Sequence, residues 1–232
     1  IIRQAPFIQW IQQGGLLVLD EYNFDFGQEL LNRDEVRETL GTEKYIGGLK
    51  INYNGHLHPL NLCIGEADAA SDLGVVINEK SPVTKIIHGA KPVVETSKGS
   101  VEADFVVLAG NAYHFLEPKL RGAVLPVKSF IIGSEPLSTE LVNRINPQDL
   151  AVCDPNYILE YFRLSADKRL LFGRRFPYFG DNPDIIKNAL IPKMLKVYPG
   201  LKNTKFEFGW GGTIGVTVNR VPQLGRISDN VF

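Results

Sequence analysis

The sequence predicts a mixed chain, α/β in one part and α+β in the other. Three observations predict it. Residues 47–110 read in the order strand, helix, strand, antiparallel hairpin, strand, which is the order of an α/β half-domain with an inserted meander. Residues 122–217 carry long β-type runs around one proline-interrupted helical pattern, so antiparallel strands dominate there. No internal repeat and no low-complexity linker separates the two.

The elements follow in chain order. GGLLVLD (14–20) is a short apolar run after two glycines and reads as a strand, while residues 21–33 mix acids and aromatics without a period and read as irregular. Asn32 or Asp34 can cap a short helix over 35–40, because a side-chain oxygen satisfies first-turn N–H groups, and Gly41 ends it. In GGLKINYNGHLHPLNL (47–62), Leu49, Ile51 and Tyr53 alternate with Lys50, Asn52 and Asn54, the period of a half-buried strand. Asn54-Gly55 is a turn signal, and Pro59 suits the first turn of a helix, where no intrahelical partner waits for its missing N–H. Leu60, Cys63, Ile64, Ala67, Ala70 and Leu73 then share one helical face, with Gly74 as its stop.

GVVI (74–77) has the length of a buried parallel strand. VTKIIH (83–88) and PVVETS (92–97) flank Gly89-Ala90-Lys91 as a hairpin, and FVVLAG (105–110) is a further buried run. Beyond it, residues 122–137 hold a strand with prolines at both ends. YILEYFRL and RLLFG bracket Ser165-Ala166-Asp167-Lys168 as a second hairpin. Residues 183–198 read as a helix that Pro192 kinks or divides. FEFGWGGTIGVTV (206–218) returns to strand.

Composition narrows the function classes. With 25 basic against 26 acidic side chains the formal charge is −1, and no general polyanion partner such as nucleic acid is expected. Hydrophobic residues at 44% and charged residues at 22% describe an ordinary soluble protein. No run approaches the roughly 18 apolar residues of a membrane span. Cys63 and Cys153 fall far apart inside apolar patterns, which favours reduced thiols and a cytoplasmic setting over a disulfide framework or a metal site. The chain does not begin with methionine, which points to an internal piece of a longer protein.

Familiar catalytic signatures are absent from the sequence. It contains no Walker loop, H-E-x-x-H, C-x-x-C or G-x-S-x-G, and GWGGTI (209–214) fails as a dinucleotide fingerprint because isoleucine ends it. Three constellations remain. His56 and His58 are two apart on an extended segment at a strand-to-helix crossover and are candidate proton-transfer groups; the alternative is that one bonds the turn while the other packs. Tyr161 and Arg163 share one face of a strand, a phenol beside a guanidinium that can clamp a carboxylate through two parallel charge-assisted bonds, unless the arginine is a solvated sheet residue. Trp210 among Gly209, Gly211, Gly212 and Gly215 suggests close backbone approach to a flat partner, or else a bulged strand whose tryptophan fills the core.

Taken in order, GGLKINYNGHLHPLNL, VVINEKSPVTKI, ADFVVLAGNAYH, DPNYILEYFRLSADKRLLFGRR and GWGGTIGVTVNRVPQLGRI resemble the flavin-dependent amine and amino-acid oxidoreductases of the D-amino-acid oxidase type, and among them the γ-glutamylputrescine oxidase-like members. The likeness covers residues 30–232. It implies a partial FAD-binding doubly wound domain interleaved with an antiparallel-sheet substrate domain. The implied division gives 1–58 and 116–213 to the substrate domain, 59–115 and 214–232 to the FAD domain. It implies that Val83 lies against the adenine, that Ala109, Gly110 and Asn111 pass the cofactor, and that Tyr161, Arg163, Trp210 and Thr213 line the substrate side. The implied reaction is hydride transfer from the carbon next to an amine nitrogen to FAD, with oxygen or another acceptor taking the electrons. Such chemistry belongs mainly to the cofactor, so a protein base is dispensable if the amine binds neutral. A sarcosine- or D-amino-acid-oxidising relative, or a non-catalytic module on the same fold, are the alternatives.

The sequence also departs from that family. Its G-x-G-x-x-G unit, which grips the pyrophosphate, is missing, as is the glycine- and histidine-bearing segment that follows LGRISDNVF in relatives. The stretch from GGLLVLD to LNRDEV is short by about one helix, and Arg174 stands where relatives carry glycine. The expectation is that this polypeptide alone binds FAD weakly or not at all.

Overall fold

A computed structural model describes residues 27–113, 115–156, 158–175, 180 and 182–232. GGLLVLD therefore lies outside the described residues. The chain divides into two compact units. The first takes the chain up to His58 together with Lys128–Gly212, and the second takes Pro59–Val127 with Thr213–Phe232.

In the first unit, β1 (Gln28–Asn32) pairs antiparallel with β2 (Gly47–Ile51), from Gln28↔Ile51 to Asn32↔Gly47. Residues 28–32 were expected to be irregular; pairing with β2 supplies the backbone partners that an unpatterned sequence does not advertise. The same ladder ends at Ile51, so Tyr53 falls in the turn and is 79% exposed rather than half-buried. Between the strands runs α1 (Arg33–Leu40). Asn32 caps it by accepting from the N–H groups of Asp34 and Glu35, while Glu35 Oε2 accepts from the Asn32 N–H at 2.7 Å, a reciprocal capping box.

Gly41 ends α1 in the left-handed conformation, φ 58°, with its N–H on the Arg37 carbonyl at 2.8 Å. A Cβ at this position would overlap the Arg144 carbonyl oxygen and come within 2.9 Å of the Arg144 carbonyl carbon. Backbone cannot swing aside as a side chain can. Gly41→Ala is expected to cost at least about 2 kcal/mol, left-handed strain plus overpacking, read as a lower urea midpoint.

The main sheet has the order β10-β6-β9-β8-β7, built from β6 (Val124–Pro136), β7 (Val152–Cys153), β8 (Glu160–Leu164), β9 (Arg169–Arg175) and β10 (Phe206–Thr217). The expected hairpin is β8–β9, with Lys168 at φ 64° in its turn. Along β8, Glu160, Phe162 and Leu164 are buried while Tyr161 and Arg163 are half-buried, so period two separates the two faces. The covered face presents Phe130, Ile132, Phe162, Leu164, Leu170 and Phe172 to the apolar side of α4 (Pro183–Val197). There Ile186, Leu190, Met194 and Val197 recur at helical spacing and are at most 1% exposed. Each such side chain contributes about 1.5–3 kcal/mol by leaving water. Pro192 does not divide α4. It sits on the exposed side, where the carbonyl it leaves without a helical partner can be hydrated.

A short helix, α3 (Thr139–Ile145), is capped by Ser138 and buries Val142 and Ile145. The Tyr198 hydroxyl donates to the Ile145 carbonyl at 3.0 Å, and burial holds its phenol well above the ordinary range. One buried charge cluster crosses the core face. Glu160 is gripped by Lys44 on one oxygen and Arg174 on the other, with the fully buried Asp154 3.7 Å from Lys44. Arg174, where glycine was expected by resemblance, is the cross-strand partner of Glu160.

In the second unit, α2 (Pro59–Asp72) forms where proline and the apolar spacing place it. Gly74 follows at φ 89°, and the Val75 N–H reaches back to the Ala70 carbonyl at 3.0 Å, a glycine-based stop. No residue of α2 is buried. The strands β3 (Val83–Ile87), β4 (Val93–Thr96) and β5 (Gly99–Glu102) form an antiparallel meander with Val83↔Thr96 and Ile87↔Val93; β5 carried no sequence signal.

Two expected strands are absent. Residues 74–77 are exposed and make no ladder, and Val76 is 81% exposed. Residues 105–110 form no ladder strand; among the described residues they meet the segment 230–232 through the isolated parallel bridge Val106↔Val231, with Val106 N–H on the Asn230 carbonyl at 2.9 Å, Phe232 N–H on the Val106 carbonyl at 2.9 Å and Leu108 N–H on the Phe232 carbonyl at 2.7 Å. Apolar runs specify a strand only where partners flank them, and among the described residues these runs have one flank at most. Residues 116–127 go with this second compact unit. The buried Glu117 accepts from His88 Nε2 at 2.9 Å, and His88 Nδ1 lies 3.0 Å from Ser228 Oγ, which draws three segments together.

Candidate active-site surfaces

The face of the main sheet opposite α4 carries the polar candidates of the first unit. Cross-strand pairing puts Tyr161 beside Gly173, Ile131 beside Gly173, and Ser129 beside Arg175. The Tyr161 ring lies across Gly173, where a Cβ would overlap it, and its hydroxyl meets Ser129 Oγ at 2.5 Å. Burial pushes the Tyr161 phenol above its ordinary range, against the lowering pull of the Ser129 hydrogen bond and the Arg175 charge. Tyr161 therefore stays a neutral hydroxyl through the physiological range and is no base there.

Gly209 faces the start of α4, where a Cβ would come within 2.7 Å of the Pro183 carbonyl oxygen. Period two then turns Phe208 and Trp210 to the open face. Trp210 is 42% exposed there, not a core filler, and the ring of Phe208 has the Arg169 guanidinium over it at 5.1 Å.

Arg163 stands on the same face and donates from Nη1 to His56 Nδ1 at 3.0 Å. His56 Nε2 lies 2.8 Å from the Asp149 carbonyl oxygen and 3.8 Å from Asp149 Oδ1. Both ring nitrogens are thus engaged. His58 is exposed and lies directly before α2. The structure brings His56 to Arg163.

In the second unit the candidates form a backbone-built turn. The Tyr113 N–H returns to the Gly110 carbonyl at 2.8 Å, and a Cβ on Gly110 would press the Tyr113 carbonyl at 3.1 Å. Asn111, at φ 52°, donates from Nδ2 to the Thr213 carbonyl at 3.0 Å and accepts the Gly215 N–H on Oδ1 at 2.6 Å. Gly215 is glycine for space, since a Cβ would sit 2.8 Å from that Oδ1. Ala109, Gly110 and Asn111 are exposed, and Val83, the first residue of β3, is 39% exposed. Sequence reasoning missed Ser129 and Gly173, the two residues that hold the Tyr161 side chain from β6 and β9. A glycine inside the run RLLFGRR is a signal of close approach that could have found the second; nothing marked the first.

The family model described as FAD dependent oxidoreductase, DAO, matches residues 3–232. The chain belongs to this family. It is 41% identical over 206 residues to the gamma-glutamylputrescine oxidoreductase of Escherichia coli, covering 88% of this chain and 48% of that protein. To a probable oxidoreductase, OrdL, of Haemophilus influenzae it is 41% identical over 217 residues, covering 90% and 49%. The chain thus spans about half the length of the curated relatives it matches. Among solved structures, glycine oxidase from Geobacillus kaustophilus superposes with a TM-score of 0.75 at 20% identity, over 99% of this chain and 60% of that one. That likeness establishes the DAO-type fold. Among the described residues no group of three or more His, Cys, Asp or Glu could hold a metal ion, and no helix is long and apolar enough to cross a membrane.

Proposed function

We propose that the natural protein carrying this sequence oxidises an amine that bears a carboxylate, of the γ-glutamylputrescine kind, with FAD as cofactor. The open sheet face carries this reading: a guanidinium, a neutral phenol and a half-exposed indole share one surface. The gamma-glutamylputrescine oxidoreductase likeness supports the substrate class. Arg163 binds the carboxylate, because a guanidinium matches it with parallel charge-assisted bonds. Trp210 and Phe208 cover the apolar part of the chain and exclude water. Tyr161 orients by hydrogen bonding.

The second unit fits the part of FAD it would meet. Ala109 and Gly110 offer exposed backbone with no side chain beyond Cβ, Asn111 fixes the turn, and Val83 begins an exposed strand edge suited to an adenine. No glycine-rich helix start for the pyrophosphate occurs in the sequence. FAD, when bound, supplies the two-electron oxidation of the carbon next to nitrogen. No proton transfer by His56 is needed for a neutral amine.

The test is the visible spectrum of the complete natural protein before and after anaerobic addition of γ-glutamylputrescine, putrescine or sarcosine. A yellow protein bleached by γ-glutamylputrescine supports the reading. Bleaching by sarcosine alone moves the substrate to that class, and a colourless protein that FAD cannot reconstitute defeats the oxidoreductase reading. Arg163→Ala is expected to raise KM for γ-glutamylputrescine by about tenfold or more, the loss of a charge-assisted pair. An unchanged KM removes Arg163 from substrate binding.

A further inference from the structure

His56 and Arg163 lie 107 residues apart in sequence, and the fold bonds them ring to guanidinium. A guanidinium has only N–H groups to offer, so His56 Nδ1 must be the acceptor. A carbonyl oxygen only accepts, so His56 Nε2 must carry the proton that reaches Asp149. A single neutral tautomer satisfies both bonds at once.

The far end of this chain is itself held. Asn146, 2% exposed, donates from Nδ2 to the Leu150 carbonyl at 2.7 Å and accepts the Leu150 N–H at 2.9 Å. Its carbonyl takes the Asp149 N–H at 3.2 Å, and Asp149 sits at φ 52°. The loop thereby presents the Asp149 carbonyl in one place, and the imidazole, its side chain 23% exposed, transmits that place to Arg163.

We propose that His56 is a positioning residue: it ties one arm of the Arg163 guanidinium to the loop at 146–150 and leaves the remaining N–H groups aimed for a substrate carboxylate. The inference rests on the reading that Arg163 meets the substrate. An arginine that is free in the empty site loses rotamer entropy on binding, whereas one already held does not. His56 thus acts on recognition of the acidic end and leaves the reacting carbon alone.

The experiment is a double-mutant cycle in the complete natural protein, with steady-state kinetics on γ-glutamylputrescine and on putrescine, which has no carboxylate. His56→Ala is expected to raise KM for γ-glutamylputrescine by about three- to tenfold, to change kcat much less, and to leave KM for putrescine where it was. His56→Asn returns an amide oxygen near the position of Nδ1 and is expected to recover most of the loss. In an Arg163→Ala background, His56→Ala is expected to add nothing. Equal losses on both amines, or full additivity with Arg163→Ala, overturns the proposal, and so does an unchanged KM for His56→Ala. If Arg163→Ala itself leaves KM unchanged, the substrate reading of Arg163 fails first and takes this inference with it.

Discussion

Replacing Glu160 by alanine is expected to lower the stability of the first unit by about 3–5 kcal/mol, the cost of breaking a buried ion pair from one side. Its side chain is 4% exposed and takes Lys44 and Arg174 on separate oxygens. Removing it takes that carboxylate from two cations, 23% and 20% exposed, and among the described residues Lys44 keeps Asp154 at 3.7 Å. Lys44 can move toward Asp154, but Asp154 already accepts the backbone N–H groups of Asn156 and Glu160 and the Asn156 side chain. Arg174 is the cross-strand partner of Glu160, so the loss falls on β8 and β9 at the end nearest Tyr161. The measurement is urea unfolding followed by circular dichroism. A change of Arg174 to methionine alongside Glu160→Ala replaces the pair on β8 and β9 by apolar groups and is expected to return part of the loss, since apolar replacement of a buried pair is often close to neutral. A Glu160→Ala midpoint equal to that of the parent would show that the cluster is solvated rather than buried.

Gly173→Val is expected to damage the open face more than the fold. The Tyr161 ring occupies the volume a Cβ would take, and the Tyr161 hydroxyl would be 2.7 Å from that atom. A ring can rotate away where backbone cannot, so the stability cost stays near the 1–3 kcal/mol of ordinary overpacking. The displaced ring loses Ser129 and enters the space in front of the sheet. KM for γ-glutamylputrescine is expected to rise by about tenfold, equivalent to about 1.4 kcal/mol. Tyr161→Ala in the same chain should relieve the overpacking, so the double variant is expected to be more stable than the sum of the singles. Strict additivity would mean that ring and glycine do not share the space.

These expectations separate what could be read locally from what could not. The sequence by itself determined α1 and its ends, because Asn32, Glu35 and Gly41 act on backbone groups within four residues of themselves. It determined the β8–β9 hairpin and the common face of Tyr161 and Arg163, because a strand's side chains alternate whatever lies beside it. It also carried the family resemblance, which needs only an ordered set of short segments. Tertiary structure decided the rest. Residues 28–32 became a strand because β2 offered partners, while the apolar 74–77 did not, because among the described residues nothing pairs with it. His56 met Arg163, Gly173 received the Tyr161 ring, and Glu160 gathered Lys44 and Arg174 across separations that no local period encodes. Caps and periodicities are set by neighbours along the chain, whereas a strand's existence and a histidine's tautomer are set by whichever group the fold delivers to hydrogen-bonding distance.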